Sequence, residues 1–251
     1  VRARTIGRGG AMDSGDQKVA VITGGSQGIG AALVTAYRQE GWAVVASALT
    51  VEPSADPSLV TIAGDISRPG TAEKITAAAL RAFGRIDTLV NDAGVYLSRP
   101  FTQYTAEDYA FVTGVNLTGF FTVTQQVIGA MLEGGRGGHV VNITTTLVDY
   151  ANSRVPSVLA SLTKGGIAAA TRSLAVEFAA RGIRVNAVSP GVIQTDMRSP
   201  ESYAALTPEE LPPLGRVGQI SDIVRSILFL ESSPYITGET VHVDGGQIAG
   251  H

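Results

Sequence analysis

A glycine-rich run near the amino terminus has the composition and the position of a phosphate-binding loop. Its residues are Thr23-Gly24-Gly25-Ser26-Gln27-Gly28-Ile29-Gly30, placed after a β-branched run and before a helical pattern. Glycine permits a tight turn and close backbone approach, so backbone N–H groups and a helix N-terminus can bind a pyrophosphate. Glycine makes up 30 of the 251 residues, so its spacing alone is weak evidence. The position between a strand and a helix is what indicates a dinucleotide site.

Cysteine, histidine and lysine are scarce, which restricts the chemistry of any site. The absence of cysteine removes thiolate nucleophiles, disulfides and thiolate metal ligands. The histidines are His139, His242 and His251. A three-histidine zinc site would need all of them, so we expect no metal. The lysines are Lys18, Lys74 and Lys164, and Lys164 lies in a long helical pattern.

Composition and charge favour one compact domain that binds neither nucleic acid nor membrane. Hydrophobic residues make up 44% and charged residues 16% of the chain, as in globular proteins with a sizeable core. The net charge is −3. Because residues 1–11 hold three arginines and no acid, the remainder of the chain is more acidic than the whole. It shows no basic stripe of the kind that binds nucleic acid. No window approaches the ~18 apolar residues of a membrane span. We expect a cytoplasmic protein with a small-molecule substrate, a flexible extension at residues 1–15 and a domain at residues 16–251.

Short apolar runs alternate with longer helical patterns along the domain. The predicted strands are residues 19–23, 44–46, 60–62, 88–91, 139–143, 183–188 and 240–243. The predicted helices include residues 31–40, 72–83, 106–131 and 157–180. This alternation predicts an α/β fold, a doubly wound parallel sheet of about seven strands with helices on both faces. Residues 200–213 hold four prolines and are predicted to form a mobile loop or lid.

Several motifs together resemble the short-chain dehydrogenase/reductase superfamily, whose fold is Rossmann-type. The glycine loop matches its T-G-x-x-x-G-x-G pattern, and Asn91-Asp92-Ala93-Gly94 resembles its N-N-A-G. Pro190-Gly191-Val192-Ile193-Gln194-Thr195 resembles the family's P-G-x-x-x-T segment. The resemblance implies NAD or NADP as cofactor and a homodimer or homotetramer formed through residues 106–131 and 157–180. The cofactor-binding residues it implies are Gly24, Ser26, Gln27, Gly28, Ile29, Gly30, Asp65, Ile66, Asn91, Ala93, Gly94, Lys164, Pro190, Gly191, Ile193 and Thr195.

The cofactor site departs from the family pattern at two places. Dinucleotide folds usually place an acid or a basic residue after the second strand to select the ribose, but the chain has Ser47-Ala48-Leu49-Thr50 there. Glu52 is the first acid reached, so the choice between NAD and NADP stays open. Asp92 replaces a neutral asparagine. Its carboxylate either repels the cofactor phosphates or turns into the sheet and accepts backbone N–H bonds.

The catalytic site departs from the pattern at its proton donor. In the family, a serine, an asparagine and the tyrosine and lysine of Y-x-x-x-K share carbonyl chemistry, and the tyrosine donates the proton. Asn116 and Lys164 match their positions, but Ala160 occupies the tyrosine position. Thr145 is the best match to the serine, with Thr144 and Thr146 as neighbours. Tyr150, in a loop about two residues longer than usual, is the nearby phenol that could replace the tyrosine.

Three functions fit these motifs. The first is an oxidoreductase with a modified site, in which Thr145, Asn116, Lys164 and either Tyr150 or water supply the protons. The second is a non-redox lyase, isomerase or cyclase in which Lys164, Asp92 or Asp149 performs acid–base work. The third is a cofactor-binding protein without turnover. Fold analogy does not choose among them.

Overall fold

The computed structural model describes residues 17–195, 203, 206–207 and 210–250. The predicted extension at residues 1–15 and most of the predicted loop at residues 200–213 lie outside these described residues.

A seven-stranded parallel sheet forms the centre of the molecule and confirms the predicted fold. The strands are β1 Val19–Thr23, β2 Ala43–Ala48, β3 Leu59–Ala63, β4 Thr88–Asn91, β5 Gly138–Ile143, β6 Ile183–Pro190 and β9 Thr240–Val243. Their order is β3-β2-β1-β4-β5-β6-β9, and every neighbouring pair is parallel. The short strands β7 Ile193–Gln194 and β8 Gly218–Gln219 pair separately. β1, β2 and β4 are buried along their whole length because helices cover both faces of the sheet.

The helices bury apolar side chains on the two faces of the sheet. They are α1 Gly28–Gln39, α2 Thr71–Phe83, α3 Ala106–Thr113, α4 Phe120–Gly134, α5 Val158–Phe178 and α6 Ile220–Glu231. Leu33 of α1 and Ile227 of α6 belong to one core cluster. Ile75 of α2, Val127 of α4 and Ala175 of α5 belong to the other. No helix among the described residues is long and apolar enough to cross a membrane.

The predicted helix at residues 106–131 is wrong as one uninterrupted α-helix. A π-helical turn over Gly114–Gly119 separates α3 from α4. Such a turn rotates the residues it contains relative to the regular helix, and it is common at functional sites. Here the turn contains Asn116, whose side chain is buried. The apolar periodicity of the sequence does not reveal the extra residue in a π-helical turn, so it predicted one continuous helix across Gly114–Gly119.

A buried polar cluster joins five elements at the end of the sheet opposite to the strand carboxyl ends: α1, β4, β5, β6 and α6. Glu231 Oε2 accepts hydrogen bonds from Tyr37 at 3.1 Å and Thr88 at 2.9 Å, and lies 3.1 Å from His139 Nδ1. On the other side of the ring, Asn186 Nδ2 lies 3.1 Å from His139 Nε2. Burial is the main cause of a lowered pKa at His139, and the carboxylate of Glu231 opposes it. The neutral imidazole therefore suits this cluster.

Candidate active site

The carboxyl ends of four parallel strands bring the predicted site residues to one edge of the sheet. The glycine loop follows β1, Asp92 follows β4, Thr144 follows β5 and Gly191 follows β6. In open α/β sheets, ligands bind in the crevice outside these ends. Lys164 reaches the same edge from α5.

The glycine loop has a backbone that only glycine tolerates. Gly24 and Gly28 have φ angles of +75° and +56°. A Cβ on Gly30 would lie 2.1 Å from the carbonyl oxygen of Gly24, which is an impossible contact. Gly25 N donates to Ser47 O at 3.0 Å and fixes the loop to β2, while Ser26 and Gln27 are exposed. This compact turn at the start of α1 fits the pyrophosphate of a dinucleotide.

The segment after β4 is anchored by side chains from three directions. Thr23 Oγ1 accepts the backbone N–H groups of Asp92 at 3.2 Å and Ala93 at 3.1 Å. Asn91 Nδ2 donates to Thr124 Oγ1 and to Asn142 Oδ1, both at 2.9 Å. The Asn91 side chain is therefore committed to the protein interior, and its backbone is what a cofactor could meet. The sequence analysis missed the role of Thr23, whose place as the first residue of the motif was the available signal.

The carboxyl of Asp92 lies against the glycine loop. Its Oδ2 atom would lie 2.8 Å from a Cβ on Gly30 and 3.0 Å from one on Gly24, so the carboxyl sits against the glycine loop. Burial raises the pKa of Asp92 to about 7, although the charge of Lys164 and the backbone N–H of Gly30 both act to lower it. A carboxyl with this pKa is partly protonated near neutral pH.

Lys164 is anchored to the end of β5. Its Nζ donates to the carbonyl oxygen of Ile143 at 2.7 Å and would lie 3.2 Å from a Cβ on Gly94, which explains the glycine there. Burial lowers the pKa of Lys164 to about 8, and the charge of Asp92 opposes the shift. The ammonium can therefore lose or gain a proton close to neutral pH.

Ala160 lies one helical turn before Lys164 and is 5% exposed. Residues four apart on an α-helix share a face, so the methyl group points toward the same side as the ammonium. Beside it, Ser161 Oγ donates to Leu147 O at 2.8 Å and holds the loop after β5 against α5. A methyl group supplies no proton at this position.

Asn116 fixes the loop that carries Gly94. Its Oδ1 accepts from Val95 N at 2.8 Å, and its Nδ2 donates to Val95 O at 3.0 Å and to Thr163 Oγ1 at 3.2 Å. These bonds occupy both ends of the amide. A Cβ added to Gly94 would lie 3.4 Å from Asn116 Oδ1 and 3.2 Å from Lys164 Nζ, so the two side chains approach Gly94 from the same side.

The three threonines after β5 differ in their hydrogen bonds. Thr144 Oγ1 donates to Val188 O at 3.1 Å, and Thr146 Oγ1 donates to Gln247 Oε1 at 3.3 Å. Thr145 Oγ1 accepts from Leu147 N at 3.4 Å and donates no hydrogen bond within the described part of the chain. Its hydroxyl hydrogen is therefore available to a ligand, which favours Thr145 among the three.

The longer loop after Thr145 begins with a 3-10 turn over Thr146–Val148. Asp149 Oδ2 lies 3.1 Å from His242 Nε2 of β9, a contact across the edge of the sheet that the sequence analysis did not foresee. Tyr150 is partly buried, and its backbone N donates to Thr146 O at 2.8 Å.

The remaining predicted cofactor residues border the same edge. Asp65 Oδ1 accepts from Ser67 N at 2.9 Å and from Ser67 Oγ at 2.6 Å, so that oxygen is committed to a local turn. Ile66 packs against Gly119, where a Cβ would lie 2.8 Å from Ile66 Cγ2. Pro190 ends β6, and Gly191 packs so closely on Asp244 that a Cβ would lie 2.8 Å from its Cα.

Tyr203 fixes the segment that runs from Ile193 to Thr195 after β6. Thr195 N donates to Tyr203 Oη at 3.1 Å, and Tyr203 Oη donates to Ile193 O at 2.9 Å. These bonds hold β7, which contains Ile193, at the edge of the crevice.

The end of β2 offers neither an acid nor a base for a ribose. Ser47 and Ala48 are buried, whereas Leu49 is 72% exposed. No group of three His, Cys, Asp or Glu side chains that could hold a metal occurs in the ranges that the structure describes.

Comparisons with known proteins agree on a family. A family model described as enoyl-(acyl carrier protein) reductase matches residues 24–247. The 3-oxoacyl-[acyl-carrier-protein] reductase FabG of Thermotoga maritima is 36% identical over 248 residues, which cover 92% of this chain and 98% of the relative. The acetoacetyl-CoA reductase of Rhizobium meliloti is 34% identical, with 92% and 98% covered.

Two solved structures are similar to the chain over most of its length. ElxO with NADP bound has a TM-score of 0.85 at 26% identity, with 93% of this chain and 100% of that chain covered. The 3-ketoacyl-(acyl-carrier-protein) reductase of Brucella melitensis complexed with NADH has a TM-score of 0.81 at 26% identity, with 92% and 98% covered.

Proposed function

The chain belongs to the short-chain dehydrogenase/reductase superfamily, and we propose that it transfers hydride between NAD or NADP and a carbonyl or alcohol substrate through a modified active site. The observation that carries this proposal is the position of Lys164. Although the residue one turn earlier is Ala160, the Lys164 ammonium is still held 2.7 Å from Ile143 O at the carboxyl edge of the sheet. This anchored ammonium supports a reaction in which residue 160 supplies no hydroxyl.

The glycine loop and the two segments after β4 and β6 would hold the cofactor. Gly24 to Gly30 would bind the pyrophosphate, and the backbone of Ala93, Gly94 and Gly191 would line the rest of the cofactor site. When bound, the nicotinamide supplies or accepts the hydride. Neither an acid nor a base lies directly after β2 to select the ribose, so NAD and NADP are both candidates. The relatives' structures carry both kinds of cofactor, NADP in one case and NADH in the other.

Thr145 and Lys164 would act on the substrate oxygen. The Thr145 hydroxyl donates no bond within the described residues and can donate to a carbonyl. The half-buried Lys164 ammonium has a pKa of about 8, so it can provide a proton directly or through water near neutral pH. Tyr150 is the alternative donor. Asn116 keeps the Gly94 loop against the lysine and so positions it.

Acetoacetyl-CoA is a suitable first substrate, because two of the relatives are named for reduction of such thioesters. The test is the oxidation of NADH and NADPH by the purified protein with this substrate and with simple ketones. Thr145→Val should lower kcat/KM by roughly tenfold or more, whereas the matched Thr145→Ser keeps the hydroxyl and should retain activity. Equal activity of the two variants would contradict the role of Thr145.

A non-redox reaction is the second candidate, favoured by one observation. The Asp92 carboxyl and the Lys164 ammonium, with pKa values of about 7 and about 8, interact electrostatically. Such a pair can move protons on a carbonyl substrate without hydride transfer. Isomerisation, lyase or cyclase turnover that needs no nicotinamide and is lost in Lys164→Met would favour this candidate over the first.

We also propose that the protein is a homodimer or homotetramer joined through α3, α4 and α5. Large apolar side chains are exposed on these helices: Tyr109, Phe111, Phe121, Leu162 and Val176. Exposed apolar groups of this extent mark a protein interface, and closed symmetric assemblies are the commonest outcome. Light scattering should give a multiple of the chain mass of 25.9 kDa. A monomer at micromolar concentration would contradict the proposal.

A further inference from the structure

The carboxyl of Asp92 fills the space behind the glycine loop. The loop has glycine at the two positions nearest to it, and a Cβ there would lie 2.8 Å (Gly30) or 3.0 Å (Gly24) from Asp92 Oδ2. These distances are shorter than ordinary van der Waals contacts, so an alanine at either position would push against the carboxyl. The carboxyl is therefore part of the packing of the loop.

Few groups compensate a negative charge at this point. The backbone N–H of Gly30 faces it from α1, and Lys164 acts on it from α5. The Thr23 hydroxyl, from β1, binds the backbone N–H of Asp92 and not its carboxyl. Lys164 forms no ion pair within 4.0 Å of Asp92 among the described residues, and its ammonium donates to Ile143 O. The ionised carboxylate is thus only partly neutralised.

We propose that Asp92 is a binding determinant of the cofactor loop, and that its carboxylate takes up one proton from solvent when the loop binds the pyrophosphate of a dinucleotide. This inference rests on the proposed function, since it requires that the loop binds NAD or NADP. A protein with asparagine at this position, as in the family pattern, would bind the dinucleotide without taking up a proton there.

The reason is electrostatic. A pyrophosphate bound by the amides of the loop adds negative charge near the carboxyl and displaces water from it, and both changes favour the neutral acid. Burial already raises the pKa of Asp92 to about 7 in the free protein. At pH 8 the free carboxyl is therefore ionised by about ten to one, so its protonation on binding corresponds to an uptake of nearly one proton.

Infrared difference spectroscopy tests this directly, because a protonated carboxyl has its own carbonyl stretch. The protein, uniformly labelled with ¹³C-aspartate or unlabelled, is mixed with NADPH at pH 8, and binding is measured separately by calorimetry. We expect a protonated-carboxyl band that appears on binding and shifts with the label. In the isosteric variant Asp92→Asn, the band should be absent although NADPH still binds. At pH 5.5 the free protein should already show the band, so binding should change it little.

The outcomes separate the inference from the proposed function. Heat of binding without a labelled carboxyl band at pH 8, or the same band in Asp92→Asn, would overturn the proton uptake at Asp92 while leaving cofactor binding intact. Absence of binding by NADPH and NADH in both proteins at both pH values would overturn the proposed function, and the inference with it.

Discussion

Lys164 donates to the carbonyl oxygen of Ile143 at 2.7 Å, so the ammonium is fixed to the end of β5 by the backbone. The bond needs no side chain at residue 160. A lysine held this way keeps its place when the neighbouring tyrosine position is occupied by alanine.

Restoring the phenol should raise carbonyl reduction. In Ala160→Tyr, a hydroxyl one turn before Lys164 can donate to the substrate, and a positioned general acid contributes ~10²–10⁴-fold. Because Ala160 is only 5% exposed, the ring must displace the groups that cover the methyl. Ala160→Phe is the matched control, with the same ring and no hydroxyl. Equal NADPH oxidation by the two variants would show that the hydroxyl adds nothing.

The pH profile of reduction should report Lys164. Burial lowers the pKa of this lysine to about 8, so the protonated form predominates below pH 8 and is lost above it. If the ammonium supplies the proton, kcat/KM for reduction should be level below pH 8 and fall up to tenfold per pH unit above it. A profile that stays level to pH 10, or unchanged activity in Lys164→Met, would exclude this role.

Tyr150→Phe tests the proposed alternative donor against Lys164 and water. If the Tyr150 hydroxyl is the donor, the variant should lose ~10²-fold or more in kcat, and Ala160→Tyr should add little to the wild type. If Lys164 or water is the donor, Tyr150→Phe should retain activity within a few fold. Single-turnover reduction with NADPH in excess measures the step concerned.

An arginine after β2 should change cofactor preference. Leu49 is 72% exposed at the end of the strand where dinucleotide folds select the ribose, so a side chain there can reach a ligand without repacking. We expect Leu49→Arg to strengthen NADPH binding by roughly tenfold and NADH binding much less, because only NADPH carries the 2′-phosphate. Leu49→Gln provides the uncharged control. Calorimetry showing equal gains for the two cofactors would contradict the position assigned to Leu49.

Stability should fall in mild acid because of His139. Burial lowers the pKa of this histidine in the folded protein below the ordinary 6.5, so the unfolded chain binds the proton more readily. The stabilisation is complete above pH 6.5 and is lost as the pH falls below it, by at most about 1.4 kcal/mol per pH unit. Urea unfolding at pH 7.5 and 5.5 should show a larger loss for the wild type than for His139→Asn. Groups that do not contact His139, including Asp92 with its opposite sign, contribute to both proteins and cancel in the difference, whereas Glu231 belongs to the same titrating pair as His139.

The sequence by itself determined the sheet, the glycine loop and the position of Lys164. Apolar runs of strand length separated by helical patterns are local signals, and they predicted β1, β4 and β9 with the bounds that the structure shows. The glycine requirement of the loop is also local, because it comes from φ angles and close backbone contacts. A lysine four residues after Ala160 must share its helix face wherever the helix packs.

Only the tertiary structure decided what depends on residues far apart in the chain. The orientation of Asp92 was open between two alternatives, and it is set by the space at Gly24 and Gly30. The choice among the three threonines depends on partners such as Gln247, which lies 101 residues from Thr146. Likewise, His139 meets Glu231 across 92 residues. A one-dimensional pattern records the type of each residue but not its distant neighbours, and burial by those neighbours is what sets the pKa values and the free hydroxyl on which the proposed chemistry depends.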